Sequence, residues 1–193
     1  KSVLPYISEH FDSIKDLRGQ QQRSASRLRG EVLLQRLQQS REPPAMMLAA
    51  LGELEQCVEE GDPLTISVLC ELVTHQHAPL RQKAVRILMQ VAAKGDQQAF
   101  EALSSHLQHP SGHVRQVVLE VLGHIAITGD RRAFEEVSFL LGDRQPQVKV
   151  AAVFCMVQIS EVGAEPAIQA LCHRMQDRDA SVRAAVVEAL GKL

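Results

Sequence analysis

The chain has no tryptophan, one tyrosine and five phenylalanines, so aromatic residues make up only 3% of it. An interior organised by aromatic packing is excluded, as is a stacking platform for single-stranded nucleic acid. Any core has to be built from Leu, Val, Ile and Ala. Charge of one sign is missing too. The net charge is −2, so no overall basic field recruits nucleic acid or anionic lipid. No apolar run reaches the ~18–20 residues that cross a bilayer, and no secretory leader pattern opens the chain. Partners are therefore expected among proteins, without nucleic acid and without membrane insertion.

Signatures of chemistry are also absent. There is no H-E-x-x-H, no phosphate loop of the G-x-x-x-x-G-K type and no G-x-S-x-G elbow. The eight histidines include His106 with His109 and His75 with His77, but no Cys or carboxylate ligand stands beside them at metal spacing. The four cysteines, Cys57, Cys70, Cys155 and Cys172, form no C-x-x-C pair. Cys70 and Cys172 share one repeat phase with Ser104 and Ser138, which reads as small residues in a helix seam. A reducing intracellular compartment, cytoplasm or organelle stroma, is the expectation. No catalytic residue, metal or cofactor is expected.

What is present is a period. Gly61, Gly95, Gly129 and Gly163 recur every 34 residues. Leu80, Val114, Val148 and Val182 share another phase, each followed by a base: Arg81, Arg115, Lys149 and Arg183. A fixed period of this length marks a stack of supersecondary units. The glycine suits the left-handed position after one helix. Asp62, Asp96 and Asp130 suit the N-cap of the next, whereas the last unit has Ala164 there. A first helix follows with a 3.6-residue apolar face, Ala99, Phe100, Leu103 and Leu107, repeated as Ala133, Phe134, Val137 and Leu141 and as Ala167, Ile168, Leu171 and Met175. After a turn, a second helix opens at the Val-Arg pair and is apolar over a wide arc. No strand alternation survives this reading. The predicted fold is all-α: an α-solenoid, a right-handed superhelix of antiparallel helix pairs.

The residues that carry the period resemble the HEAT repeat, in the variant also found in phycobilin-lyase-type proteins. The pattern reads Asp143-x-x-Pro146-x-Val148-Lys149-x-Ala151-Ala152, and again Asp177-x-x-Ala180-x-Val182-Arg183-x-Ala185-Val186. The tetratricopeptide repeat has the same period, but its Trp-Leu-Gly-aromatic first helix is missing. The HEAT resemblance implies a ladder in which the turn aspartate of one unit meets the helix-opening base of its neighbour. Asp143 and Asp177 match the aspartate; Arg81, Arg115, Lys149 and Arg183 match the base. His75 and His109 stand where the first two units should have the aspartate. A neutral histidine there can accept one hydrogen bond from an arginine and a protonated one cannot, so one reading is a weaker or slightly acid-sensitive ladder and the preferred, plainer one a tolerated surface histidine.

Four units are predicted at 61–94, 95–128, 129–162 and 163–193, with 43–60 closing a degenerate repeat and 1–42 forming a capping or docking segment. In that segment Val3, Leu4, Ile7, Phe11, Ile14 and Leu17 predict an amphipathic helix, and Gln20 to Ser26 a polar linker. A helix near Leu28 to Leu37 has Leu28, Val32, Leu34 and Leu37 for burial. A further helix runs from Met46 to Val58. Arg18, Arg23, Arg27 and Arg29 form a basic cluster, and Arg23-x-x-Ser26 loosely fits a kinase site, with a solvated linker as the plain reading. The start at Lys1 and the close at Leu193 inside a helical pattern point to a segment of a longer protein, with N-terminal processing as the competing reading.

The second helices are expected to line the concave side. One solvent-facing phase there is Arg86, Glu120, Phe154 and Glu188. Val150, Phe154 and Val157 form an apolar stripe on one helix where other units are polar or small, which suggests an interface. The function expected is a non-catalytic protein-interaction scaffold or adaptor; the alternative is a phycobilin-lyase-type protein acting on a biliprotein or tetrapyrrole. The iron-dependent HEAT hydroxylases use His-Glu dipeptides, which this chain lacks.

Overall fold

Local backbone chemistry sets the elements. A computed structural model describes residues 28–37, 43–58 and 60–193. The predicted Val3–Leu17 helix, the Gln20–Ser26 linker and Arg18, Arg23 and Arg27 lie outside the described residues. The chain divides into two units, Lys1–Glu59 and Glu60–Leu193, and among the described residues every regular element is helical.

In the first unit, α1 covers residues 28–37 and α2 is Pro44–Cys57. Pro44 opens α2 at a position where its missing N–H costs nothing. Leu33, Leu34 and Leu37 of α1 and Met47, Ala50, Leu51 and Leu54 of α2 are buried. This corrects the expected face of α1: Leu28 and Val32 are 64% and 57% exposed. Arg29, assigned to a basic cluster, donates to Glu53 at 2.7 Å. The pair is exposed and stabilises little.

The second unit is the solenoid: four antiparallel helix pairs. They are α3 (Pro63–Leu72) with α4 (Ala78–Val91), α5 (Gln97–Ser104) with α6 (Gly112–Ile125), α7 (Arg131–Leu140) with α8 (Pro146–Ile159), and α9 (Glu165–Cys172) with α10 (Ala180–Leu190). A short 3₁₀ turn, Ser105–Gln108, extends α5. The second helices begin about two residues before the Val-Arg pair. The caps follow the periodic aspartates. Asp62 accepts the Thr65 N–H and Asp96 the Ala99 N–H, each at 2.9 Å, and Asp130 accepts the Arg132 N–H at 2.8 Å. Ala164 makes no such cap. Each side-chain cap stabilises its helix by ~1 kcal/mol.

Gly61, Gly95, Gly129 and Gly163 hold φ of 77°, 85°, 83° and 80°. That left-handed backbone costs other L-residues about 1–2 kcal/mol. The turn also aims each glycine N–H at the far end of its own unit. Gly61 donates to Val91, Gly95 to Ile125, Gly129 to Ile159 and Gly163 to Leu193. The first three acceptors close α4, α6 and α8, so an orphan carbonyl at the end of each second helix is satisfied by the residue that opens the same unit.

The core is the seam between the two rows of helices. Leu80, Ile87 and Leu88 on α4, Val118 and Leu119 on α6, and Val148, Val153 and Met156 on α8 are all 0% exposed. α8 is apolar on nearly every side because α6, α7 and α10 all pack on it. Truncating Leu119 to Ala is expected to cost ~2–5 kcal/mol. Two seam assignments are corrected: Met175 is 46% exposed and Cys172 is exposed, whereas Cys70 is buried.

Candidate protein-binding groove

The ladder fixes the spacing of the second helices and so sets the groove they form. Arg115 opens α6 and does two jobs. Its Nη1 donates to the carbonyls of His109 and Pro110 in its own turn, at 2.7 and 3.2 Å. Its Nε and Nη2 fork onto the two oxygens of Asp143 in the next unit, each at 2.8 Å. Lys149 has one ammonium and reaches Asp177 at 2.7 Å. Arg183 holds the carbonyls of Asp177 and Arg178 at 2.8 and 3.1 Å.

Arg81 holds the carbonyls of His75 and Gln76 at 2.7 and 2.9 Å, but its Nε is buried without a partner. The histidines explain this: no bond from Arg81 to His109 forms, where one reading had a weakened one. Asp143 and Asp177 each accept the backbone N–H two residues on, at 2.8 and 3.0 Å. His75 and His109 do the same through Nδ1, accepting from His77 and Ser111 at 3.1 Å. A neutral imidazole has one accepting nitrogen. The turn uses it, so His109 has nothing left for Arg81.

Across α4, α6 and α8 runs a groove of about 790 Å³ lined by Met89, Gln116, Glu120, Val150, Phe154 and Gln158, among others. Met89, Val150 and Phe154 give it an apolar part, and Gln116, Gln147 and Gln158 with the Glu120 carboxylate a polar one. The structure brings Glu120, Val150 and Phe154 together in this groove. Arg86, Val157 and Glu188 do not line it. Val150, Phe154 and Val157 are all half-buried on α8. Glu120 accepts a hydrogen bond from Gln116 at 3.0 Å. Glu188 accepts from Lys192 at 2.6 Å, and the same ammonium lies 5.6 Å from the centroid of the Phe154 ring, within cation–π range.

Sequence reasoning passed over Gln158 and Lys192. They share one 34-residue phase with Gln90 and His124, a run of polar residues beside the expected stripe that could have flagged the rim. The approach of Lys192 to Phe154 depends on where α10 ends and had no periodic signal.

The polar lining of the groove is made of the Gln116, Gln147 and Gln158 amides, the Ser181 hydroxyl and the Glu120 carboxylate. Amide side chains donate and accept without titrating, and so match the backbone of an extended segment. Cys155 touches the groove, but burial pushes its thiol up to about 12, which leaves it protonated and non-nucleophilic. Among the described residues no three His, Cys, Asp or Glu side chains are placed to hold a metal ion. Among the same residues no helix is long and apolar enough to cross a membrane. A second cavity of about 480 Å³ lies between α7 and the α8–α9 corner, beside Phe134, Ile159 and Pro166.

Comparison with known proteins agrees with this architecture. Residues 30–123 and 137–193 match the family described as HEAT repeats. No curated protein matches the sequence significantly. Among solved structures, a designed armadillo repeat protein in complex with the peptide (KR)4 is similar with a TM-score of 0.53 at 20% identity, over 83% of this chain and 81% of that one. An engineered protein from a structural genomics consortium gives 0.52 at 18% identity, over 84% and 78%. Human deoxyhypusine hydroxylase in complex with glycerol gives 0.52 at 18% identity; the similarity covers 88% of this chain but 65% of the hydroxylase. At these identities the likeness is one of fold.

Proposed function

The chain belongs to the HEAT-repeat family, and from that premise we propose that it is a non-catalytic protein-interaction scaffold whose groove takes an extended segment of a protein partner. One observation carries this reading. Val150 and Phe154 are half-buried in a groove whose polar part is made of amides and a carboxylate. The same phases hold Gln116 and Glu120 on α6 and Ala184 and Glu188 on α10. An apolar spot set in a polar surface of this kind is the usual anchor of an interface. Two features add support. The amides suit a peptide backbone, and a repeat protein of similar fold was solved with a bound peptide. The hydroxylase likeness brings no activity with it, since the His-Glu dipeptides of that enzyme group are missing from this sequence. The bilin-handling alternative rests on resemblance alone, and no side chain of the groove favours it.

The test is Phe154→Glu. The variant is first checked for an unchanged helical spectrum and urea transition. Wild type and variant are then used in parallel for affinity purification from the native source, with mass spectrometry of what co-elutes. The reading expects a stoichiometric protein partner with wild type and its loss with the variant. A folded variant that retains every partner sinks it.

A further inference from the structure

The Phe100 ring of the second unit is closed over. It is 5% exposed, and the Arg132 guanidinium of the third unit lies 5.1 Å from its centroid, within cation–π range. The same guanidinium reaches Glu101 at 3.5 Å. Gln98, Arg132 and Pro166 share one 34-residue phase. Gln98 covers the first unit in its turn, donating to the Pro63 carbonyl at 3.1 Å. The third unit repeats the ring and its carboxylate as Phe134 and Glu135, but there the covering position holds Pro166, whose short ring carries no donor and no charge. Phe134 is accordingly only half-buried, and the cavity of about 480 Å³ opens beside it.

The mouth of the cavity differs in the same direction. In the second unit Ile127 of the third unit's approach lies against Gly95, with Cδ1 2.9 Å from where a Cβ would stand. One period on, Glu161 lies against Gly129, with Oε1 3.5 Å from the equivalent point. Relative to the covered site around Phe100, the cavity has lost a cation and gained a carboxylate. Glu135 accepts from Arg131 at 2.8 Å. The Glu161 carboxylate is exposed and has no partner among the described residues. We propose that this cavity docks an arginine side chain from a separate protein partner. The guanidinium lies over the Phe134 ring as Arg132 lies over Phe100, and it pairs with Glu161 and Glu135 as Arg132 pairs with Glu101. Arginine fits better than lysine, because a planar guanidinium stacks on a ring while it donates in its own plane. Ile159 and Pro166 offer an apolar wall to its methylene stem. The site is apart from the groove of α4, α6 and α8, and it stands or falls without the reading of that groove.

Two measurements on the full chain test this. In the first, isotope-labelled protein is titrated with acetyl-Gly-Arg-Gly-amide and with its citrulline counterpart, which keeps the shape and loses the charge. The arginine peptide is expected to shift the backbone amides of residues 129–135 and 159–167 saturably, and the citrulline peptide to bind roughly tenfold more weakly. Glu161→Gln is expected to weaken arginine binding about fivefold. Pro166→Arg rebuilds the cover seen over Phe100, and is expected to abolish binding with an unchanged helical spectrum. An equal response to the two peptides, or binding that survives Pro166→Arg in a folded chain, overturns the proposal. The second measurement identifies where the arginine comes from. A photoreactive phenylalanine analogue replaces Val162, which is 85% exposed beside Glu161, and is irradiated in cells of the native source. Cross-links to an arginine-bearing segment of another protein are expected, and their loss when Pro166→Arg is added. Cross-links confined to this protein's own chain would assign the cavity to an intramolecular arginine and overturn the proposal, as would cross-links that Pro166→Arg leaves in place.

Discussion

Arg115 and Asp143 belong to neighbouring units and meet through two parallel hydrogen bonds of 2.8 Å each, with side chains only 12% and 8% exposed. Burial by itself raises the Asp143 carboxyl pKa. The Arg115 hydrogen bonds, the Gln145 N–H and the guanidinium charge outweigh it and hold the group below the usual carboxylate value. A carboxylate with a lowered folded pKa stabilises the fold above its unfolded pKa of about 3.9. That contribution disappears as pH falls through the lowered folded value. Asp143→Asn is therefore expected to cost about 1–3 kcal/mol at pH 7 and to flatten the acid limb of stability between about pH 5 and pH 2. Urea midpoints measured across that range check this. A variant that tracks the parent at every pH would show that the pair contributes nothing.

His109 leaves Arg81 without the acceptor that Arg115 enjoys. His109→Asp keeps an oxygen for the Ser111 N–H and adds a second for the buried Nε of Arg81. A gain of about 1 kcal/mol is expected, with no gain when Arg81→Gln is combined with it. The double-mutant cycle in urea is the measurement.

Two glycines on adjacent elements are expected to respond in opposite directions. Gly95 has φ +85°, and a Cβ there would lie 2.9 Å from Ile127 Cδ1. Gly95→Ala is expected to cost about 1–2 kcal/mol through the left-handed backbone. Gly123 sits within α6, and its added Cβ would meet the end of the Gln158 side chain. Gln158 is exposed and can swing aside, so Gly123→Ala is expected to gain roughly 0.5–1 kcal/mol of helix propensity. Thermal unfolding of the two variants side by side gives the signs directly.

Thiol labelling should separate the four cysteines. Burial pushes Cys70 and Cys155 up to about 12, and burial raises Cys57 to a lesser degree. Cys172 is exposed. A disulfide reagent at pH 8 is expected to modify Cys172 first and Cys57 more slowly, and to reach Cys70 and Cys155 only on unfolding. Early modification of Cys155, read by peptide mass, would mean that the seam opens around α8 far more readily than its packing implies.

Features decided by one residue's own backbone are legible in the sequence. The positive φ of the four glycines and the caps of Asp62, Asp96 and Asp130 are of this kind, and the helix pairs follow from them. Features decided by a neighbour are not. The residue type at position 109 reveals a missing carboxylate, but only geometry shows Nδ1 committed to Ser111. In α1 the leucines permit two apolar faces, so tertiary contact chose Leu33 over Val32. Periodicity assigned Met175 and Cys172 to the seam, whereas both are exposed, because a shared phase says nothing of which neighbour packs there. In the groove, Val150 and Phe154 are visible as an apolar break in a polar phase, whereas Lys192 reaches Phe154 from the end of another helix.

The junctions between units are unequal in a way that matters under load. Between the second and third units the Arg115 guanidinium forks onto Asp143, and between the third and fourth Lys149 holds Asp177. Between the first and second, Gln98 donates to the Pro63 carbonyl at 3.1 Å and side-chain packing is present, but Arg81 finds no acceptor in His109. Pulled along its length, the stack has a designated yield point there. Residues 61–94 would part from the rest while the later units stay engaged, so a partner held across that junction would feel a compliant spring and one held beyond it a stiff rod.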